Sequence, residues 1–358
     1  MKKTSLVFSN HCSKTLSKQG AILILALWTL ALLTVFSISI SARVRQEITF
    51  LSRLEKTYQL RDIASAGIYK ARAMYLSNFK SGQQYAINDE LVPAMKRIDI
   101  FNNDLAFKDV ELGQGRYSVY YDGCDSVVDN PYRMYGFIDE ESKININKAP
   151  RAVLKQLFIV VLGLLEEEAD ELAGSIINWR EAGETELTGF FSDDFYSQLK
   201  DPYESKEADF QILDELYLLK GMTAERVEKL SPFVTVFGNG GVNFNTASVL
   251  VLKALGLEDG LIKKILLVHR GEDGLLGTMD DVYFSSYNVM LSALQEKAGI
   301  DENELKALTD LSNLKMIGMD SQYFGVRCAA QLTSSKEIKE IKSVFRAKDG
   351  QIVYWREI

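Results

Sequence analysis

Four carboxylates crowd one short stretch: Glu272, Asp273, Asp280 and Asp281 stand among Gly271, Gly274 and Gly277. Clustered carboxylates on a bent loop are hard-oxygen ligands of the kind calcium takes. Their spacing does not match an EF-hand, which needs a bidentate Glu at its twelfth position. A solvated acidic loop, with Gly supplying the bends and Asp leading into the next helix, accounts for the same residues, and both readings stand. Of three cysteines, Cys124 and Cys328 fall in strand-like segments assigned to one sheet. A disulfide between them is expected in an oxidising compartment, with two buried free thiols as the other reading. Parts for nucleophilic catalysis are missing: no Gly-x-Ser-x-Gly elbow, no phosphate-cradling Gly-rich loop with its Lys, and no Cys-x-x-Cys. His269, beside Arg270 at the end of a helical stretch, reads as a cation at a helix C-terminus. Catalysis is not expected, and no cofactor is required beyond the calcium of the first reading.

The elements that must carry these residues begin with a membrane signal. Lys2, Lys3, Lys14 and Lys18 precede Gly20, and Ala21 to Ala42 are 22 residues without a charge. As a helix rising about 1.5 Å per residue, that run crosses a hydrocarbon core of about 30 Å. No acidic residue appears before Glu47, so the positive bias keeps the N-terminus on the cytoplasmic side. Three readings compete: a cleaved secretory signal, an uncut signal anchor, and a prepilin-type leader cut between Gly20 and Ala21. The residues beyond Ala42 favour the third. Val44, Ile48, Leu51, Leu54, Tyr58, Ile63, Gly67 or Ile68, Ala71 and Tyr75 recur in steps that mostly equal three or four, a helical stripe running on from the apolar segment.

With 358 residues, 47% of them apolar, the chain can bury more than one core. Gly115–Asp122 and Tyr132–Asp139 read as strands, as do 323–332, 338–347 and 351–356, with Lys348-Asp349-Gly350 as a hairpin turn. A mostly helical stretch lies between, from about Asn147 to Asp310, and it contains a repeat. Ile144-Asn145-Ile146-Asn147-Lys148-Ala149 matches Val242-Asn243-Phe244-Asn245-Thr246-Ala247. Asn147 and Asn245 are expected as helix N-caps, Pro150 inside a first turn, and each unit continues through a Gly (Gly163, Gly256) into a second helix. The aromatic residues of this stretch, Trp179, Phe190, Phe191, Tyr196, Phe233 and Phe237, are expected in the core.

Gly20-Ala21, the segment Leu27-Trp28-Thr29-Leu30-Ala31-Leu32-Leu33-Thr34-Val35 and the step Ala64-Ser65-Ala66-Gly67 resemble the minor pseudopilin K family of type II secretion systems. Pilins and most pseudopilins carry Glu at the fifth mature position; this chain has Leu25, and members of the K type are similar in lacking that Glu. A carboxylate in a bilayer is costly and is kept where it pairs with a neighbour, so a subunit without it suits the tip. The resemblance implies cleavage by the prepilin peptidase between Gly20 and Ala21 with N-methylation of Ala21, calcium in the helical region, and a structural subunit that caps or nucleates the periplasmic pseudopilus. Implied partners are the I and J type minor pseudopilins, the major pseudopilin, the inner-membrane secretion platform and the prepilin peptidase. The implied protein is a single-pass inner-membrane protein with a periplasmic C-terminal domain.

The fold expected is α+β: a pilin-like long N-terminal helix packed on an antiparallel sheet, with an inserted, mostly helical domain containing two helix-hairpin-helix-like repeats. Expected boundaries are 1–20 leader, 21–42 transmembrane helix, 43–146 first part of the pilin-like domain, 147–312 inserted domain and 313–358 C-terminal strands. The acidic stretch after Trp179 matches the K family only in part, since Asn178 and Phe190-Phe191-Ser192 depart from its pattern. The rival reading is a membrane-anchored helix-hairpin-helix protein of DNA binding or uptake. Against it, the turns Leu162–Glu168 and Leu255–Asp259 have one Gly each and place acid where phosphate would sit. Residues 148–310 hold 15 Lys/Arg against 29 Asp/Glu, a net −14, so nucleic acid is not an expected partner.

Overall fold

The computed structural model describes residues 16–85, 103–123, 132–181, 192–271 and 282–358. The chain divides into two compact units, Met1–Gln59 and Leu60–Ile358.

Helix α1 (Leu16–Tyr85) is 70 residues long. In the first unit its apolar side chains face outward: Leu25 is 68% exposed and Trp28 72%. Among the described residues it is the one helix long and apolar enough to cross a membrane. In the second unit the stripe is buried, with Leu60, Ile63, Ala64, Ile68, Ala71 and Tyr75 all in one core.

That core lies between α1 and a sheet. After the short helix α2 (Asp104–Phe107) come β1 (Val110–Leu112), β2 (Gly115–Gly123), β3 (Tyr132–Met134) and β4 (Ile138–Asp139). The Tyr132–Asp139 stretch is therefore two short strands rather than one. A 3-10 turn (Glu140–Ser142), capped by Asp139, leads to β5 (Ile144–Asn145).

The helical block comes next. It contains α3 (Arg151–Leu162), α4 (Glu166–Arg180), α5 (Ser192–Ser197), a 3-10 turn (Leu213–Leu218), α6 (Ala224–Leu230), β6 (Val234–Thr235) and β7 (Val242–Asn243). Then come α7 (Val249–Ala254), α8 (Asp259–His269), α9 (Tyr287–Lys297), α10 (Glu302–Asn313) and β8 (Ile317–Gly318). The chain returns to the sheet as β9 (Tyr323–Leu332), β10 (Ile338–Arg346) and β11 (Ile352–Glu357).

The sheet has seven strands in the order β1-β2-β9-β10-β11, with β3 also on β2 and β4 also on β9, all antiparallel. Alternation along β9 sends Phe324, Val326, Cys328, Ala330 and Leu332 into the core with α1. Helix and sheet meet most closely at Gly67, where a Cβ would collide with Cys328 Sγ and stand 2.7 Å from the Tyr117 ring. The turn Lys348-Asp349-Gly350 closes the β10–β11 hairpin, with Arg346 bonding Asp349 at 2.6 Å.

The helical block has its own core, from Ile144 to Met319, which takes in residues on both sides of 147–312. Trp179, Tyr196 and Phe233 are buried in it, while Phe237 stacks on Tyr323 with ring centroids 5.8 Å apart. Phe190 and Phe191 lie outside the described residues.

Candidate functional site

Two features of the second unit can be built from their residues: the paired repeats of the block, and the joint where the block meets the sheet.

Each repeat opens on a two-residue strand that pairs in parallel with a distant one, β5 with β6 and β7 with β8. Ile144 and Ile146 donate to Phe233 and Thr235 at 2.9 and 3.0 Å; Val242 and Phe244 donate to Met316 and Gly318 at 2.8 and 3.0 Å. The first Asn makes an Asx turn in both copies. Asn145 Oδ1 accepts from the Asn147 N–H at 2.9 Å, and Asn243 Oδ1 from the Asn245 N–H at 3.1 Å.

The second Asn is a clamp, not the expected N-cap. Asn147 donates to the Phe210 carbonyl at 2.9 Å and accepts from the Phe210 N–H at 2.7 Å. Asn245 does the same with Phe284, at 3.0 and 2.8 Å, and also donates to Met319 at 3.0 Å. The caps fall three residues later. Pro150, at the cap itself rather than inside the first turn, has no cap bond, while Ser248 accepts from the Val251 N–H. The reason is an extra turn after each Asn, in which Ala149 and Ala247 bond back to Asn145 and Asn243. In both repeats a Gly at positive φ, Gly163 (68°) or Gly256 (86°), separates the two helices.

The joint is made by three consecutive acids, Asp139-Glu140-Glu141, all buried. Asp139 Oδ1 accepts from the Glu141 N–H at 2.8 Å. Its Oδ2 accepts from Asn243 Nδ2 at 2.9 Å, Thr246 Oγ1 at 2.5 Å and Ser321 Oγ at 2.6 Å. Burial pushes the Asp139 carboxyl above the usual carboxylate range, and those hydrogen bonds oppose the rise. Glu141 accepts from the Gln322 N–H and is also raised by burial, with Asp139 adding to the rise. Glu140 differs in having a cation: Lys143 Nζ lies 2.8 Å from one oxygen, and Thr235 donates to the other at 2.8 Å. The seam closes further out with Phe237 against Tyr323 and Tyr354 and with the Arg356–Asp214 pair.

The residues singled out from sequence fare unevenly. Gly20, Ala21 and Leu25 all lie in the first turns of α1, with open space around Gly20. Cys328 is a free thiol, fully buried, and burial raises its pKa. Cys124, its partner in the expected bridge, lies outside the described residues. So do Glu272, Asp273, Asp280 and Asp281. Among the described residues no group of three or more His, Cys, Asp or Glu is arranged to hold a metal ion. His269 ends α8 as expected of a C-terminal residue, but it is buried and donates from Nδ1 to the Val282 carbonyl at 2.8 Å.

At the repeat turns acid is engaged: Glu166 meets Lys155 at 3.4 Å and Glu168 pairs with Arg226. Glu166, Glu167 and Glu168 fill the first turn of α4, where the helix dipole favours them and a phosphate would be repelled. The DNA-binding alternative has no support here.

Comparison with known proteins agrees with this architecture. One chain in the crystal structure of the GspK-GspI-GspJ complex from enterotoxigenic Escherichia coli shares the fold. The TM-score is 0.58 and the identity 16%, over 86% of this chain and 99% of that one. The class is thus a long N-terminal helix on an antiparallel sheet with a helical block set into it. The sequence gives a more particular likeness. Residues 135–239, which include the joint and the first repeat, match the model described as type II secretion system (T2SS), protein K. Type II secretion system protein K of Aeromonas hydrophila is 26% identical over 224 residues, and the matched region spans 59% of each chain. These matches make the chain similar to type II secretion system protein K over part of its length.

Proposed function

We propose that this chain is a minor pseudopilin of type II secretion, a structural subunit that caps or nucleates the tip of the periplasmic pseudopilus. The observation that carries the reading is the protein K match over 135–239. The exposed apolar face of α1 supports an anchor in the inner membrane, and Leu25 leaves nothing there that needs a charged partner from a neighbour. In this reading the N-terminus is cytoplasmic and the second unit periplasmic. Prepilin peptidase cuts between Gly20 and Ala21 and methylates Ala21. The partners are the I and J type minor pseudopilins, the major pseudopilin and the secretion platform. The role is structural, without catalysis, and the α3–α4 and α7–α8 pairs are helix-hairpin-helix-like units kept for packing.

Calcium held by Glu272, Asp273, Asp280 and Asp281 belongs to the same proposal, and a fall in melting temperature on adding EDTA is its expected sign; an unmoved transition contradicts it. The reading itself is tested by processing. In cells with the peptidase, the wild-type chain should begin at Ala21, and Gly20→Ala should remain at precursor length. A Gly20→Ala chain cut to normal size overturns it.

A further inference from the structure

We propose that Asp139 is a positioning residue that fixes the helical block against the sheet through the second repeat. Asp139 belongs to β4, where it pairs with Phe324 of β9, so its backbone is part of the sheet. Its carboxylate, 3% exposed, is held by Asn243 and Thr246 of the block and by Ser321 of the segment leading back to β9. Three stretches of chain far apart in sequence therefore converge on one side chain.

A buried carboxylate is costly unless its lone pairs are filled, and filling them demands donors in set directions. Apolar surfaces slide over one another at little cost; four directed bonds to one carboxylate do not. The Lys143 ammonium is taken by Glu140, and hydrogen bonds are what oppose the cost of burying Asp139.

The first repeat shows that the unit needs no such carboxylate to fold. Asn145, the equivalent of Asn243, gives its amide protons to the Phe237 and Gly238 carbonyls at 2.9 and 3.1 Å. The contact to Asp139 is thus specific to docking the second copy. The inference concerns the chain's own geometry and does not depend on the tip reading. If that reading holds, Asp139 sets the direction in which the block is presented to neighbouring subunits.

Hydrogen exchange on the full chain in detergent tests this, with Asp139→Asn, Asn243→Asp and the two together. Asp139→Asn should speed exchange roughly tenfold or more in residues 138–146 and 317–323, leaving the interiors of α3, α4, β9 and β10 unchanged. The double exchange restores one carboxylate facing one amide and should return exchange toward the wild-type rate, whereas Asn243→Asp alone sets two carboxylates together and should be the worst. No acceleration at the joint, an even acceleration through the whole block, or a double variant no better than Asn243→Asp would each overturn the proposal. Should Asp139→Asn fail to fold, Thr246→Val with Ser321→Ala removes two donors and keeps the carboxylate. The same local pattern is then expected, and an even loss or none counts against it.

Discussion

Asn145 and Asn243 occupy equivalent places in two copies of one unit, yet their amide protons go to different partners. In the first copy they reach backbone carbonyls within the block; in the second they reach Asp139 and Ser321 at the seam with the sheet. The acids of the joint divide in the same way. Glu140 serves the first copy through Thr235 with Lys143 beside it, while Asp139 serves the second with hydrogen bonds alone. The difference shows how a repeated unit acquires a new role: the internal plan of turn, clamp and paired strand is retained, and one amide is redirected outward.

The largest test of the shared plan is the clamp. Asn245→Ala leaves the Phe284 N–H and carbonyl without their clamp in the interior, and Asn147→Ala strands Phe210 likewise. Each should cost about 3–5 kcal/mol in urea unfolding, several times an ordinary hydrogen bond. Markedly unequal losses would break the equivalence of the copies.

The first Asn should instead separate them. Asn243→Ala removes a bond to a buried charge, Asn145→Ala only bonds to neutral carbonyls. We expect Asn243→Ala to be the more damaging by about 1–2 kcal/mol, and equal losses would erase the distinction.

A smaller effect is read through pH. Burial raises the Asp139 carboxyl, so the folded chain holds that proton more firmly than the unfolded chain does. The cost of the buried charge is then present above the folded pKa and relieved as pH falls toward the ordinary carboxylate value. The stability difference between wild type and Asp139→Asn should therefore shift in favour of wild type as the solution is made mildly acidic. A difference independent of pH, measured by urea midpoints, would mean that the carboxyl is not held in this way.

The smallest test concerns the turns. Gly163→Ala and Gly256→Ala force a left-handed backbone on Ala with open space around the new methyl, so each should cost about 1 kcal/mol. Costs differing by more than a few tenths would mean that the two turns are not alike.

Much of this was legible in the residues. The uncharged run after Gly20, the stripe continuing to Tyr75, the strands on either side of a helical block and the repeat with its two glycines can all be read from spacing, because helix and strand periods depend on local pattern. What was hidden depends on distant partners. Asn147 and Asn245 look like caps because Asn just before an apolar run usually is one; only the approach of Phe210 and Phe284 makes them clamps. Strands β5 to β8 are two residues each, too short for any alternation to register. Asp139 closes a strand-like stretch and Glu140-Glu141 follow it, and no local signal marks these acids as buried, since donors to them come from residues 235, 243, 246, 321 and 322. Cys328 was placed in the right kind of element, but the face it occupies, against Gly67, was set by the register of β9.

The central proposal, that this chain joins other minor pseudopilins as a tip subunit, is tested most directly by assembly. Its second unit, Leu60–Ile358, should be co-expressed with the matching parts of the I and J type pseudopilins from the same organism and sized by light scattering after gel filtration. The account predicts a single species whose mass is that of one copy of each. Three separately eluting monomers, in conditions where each is folded, would contradict it.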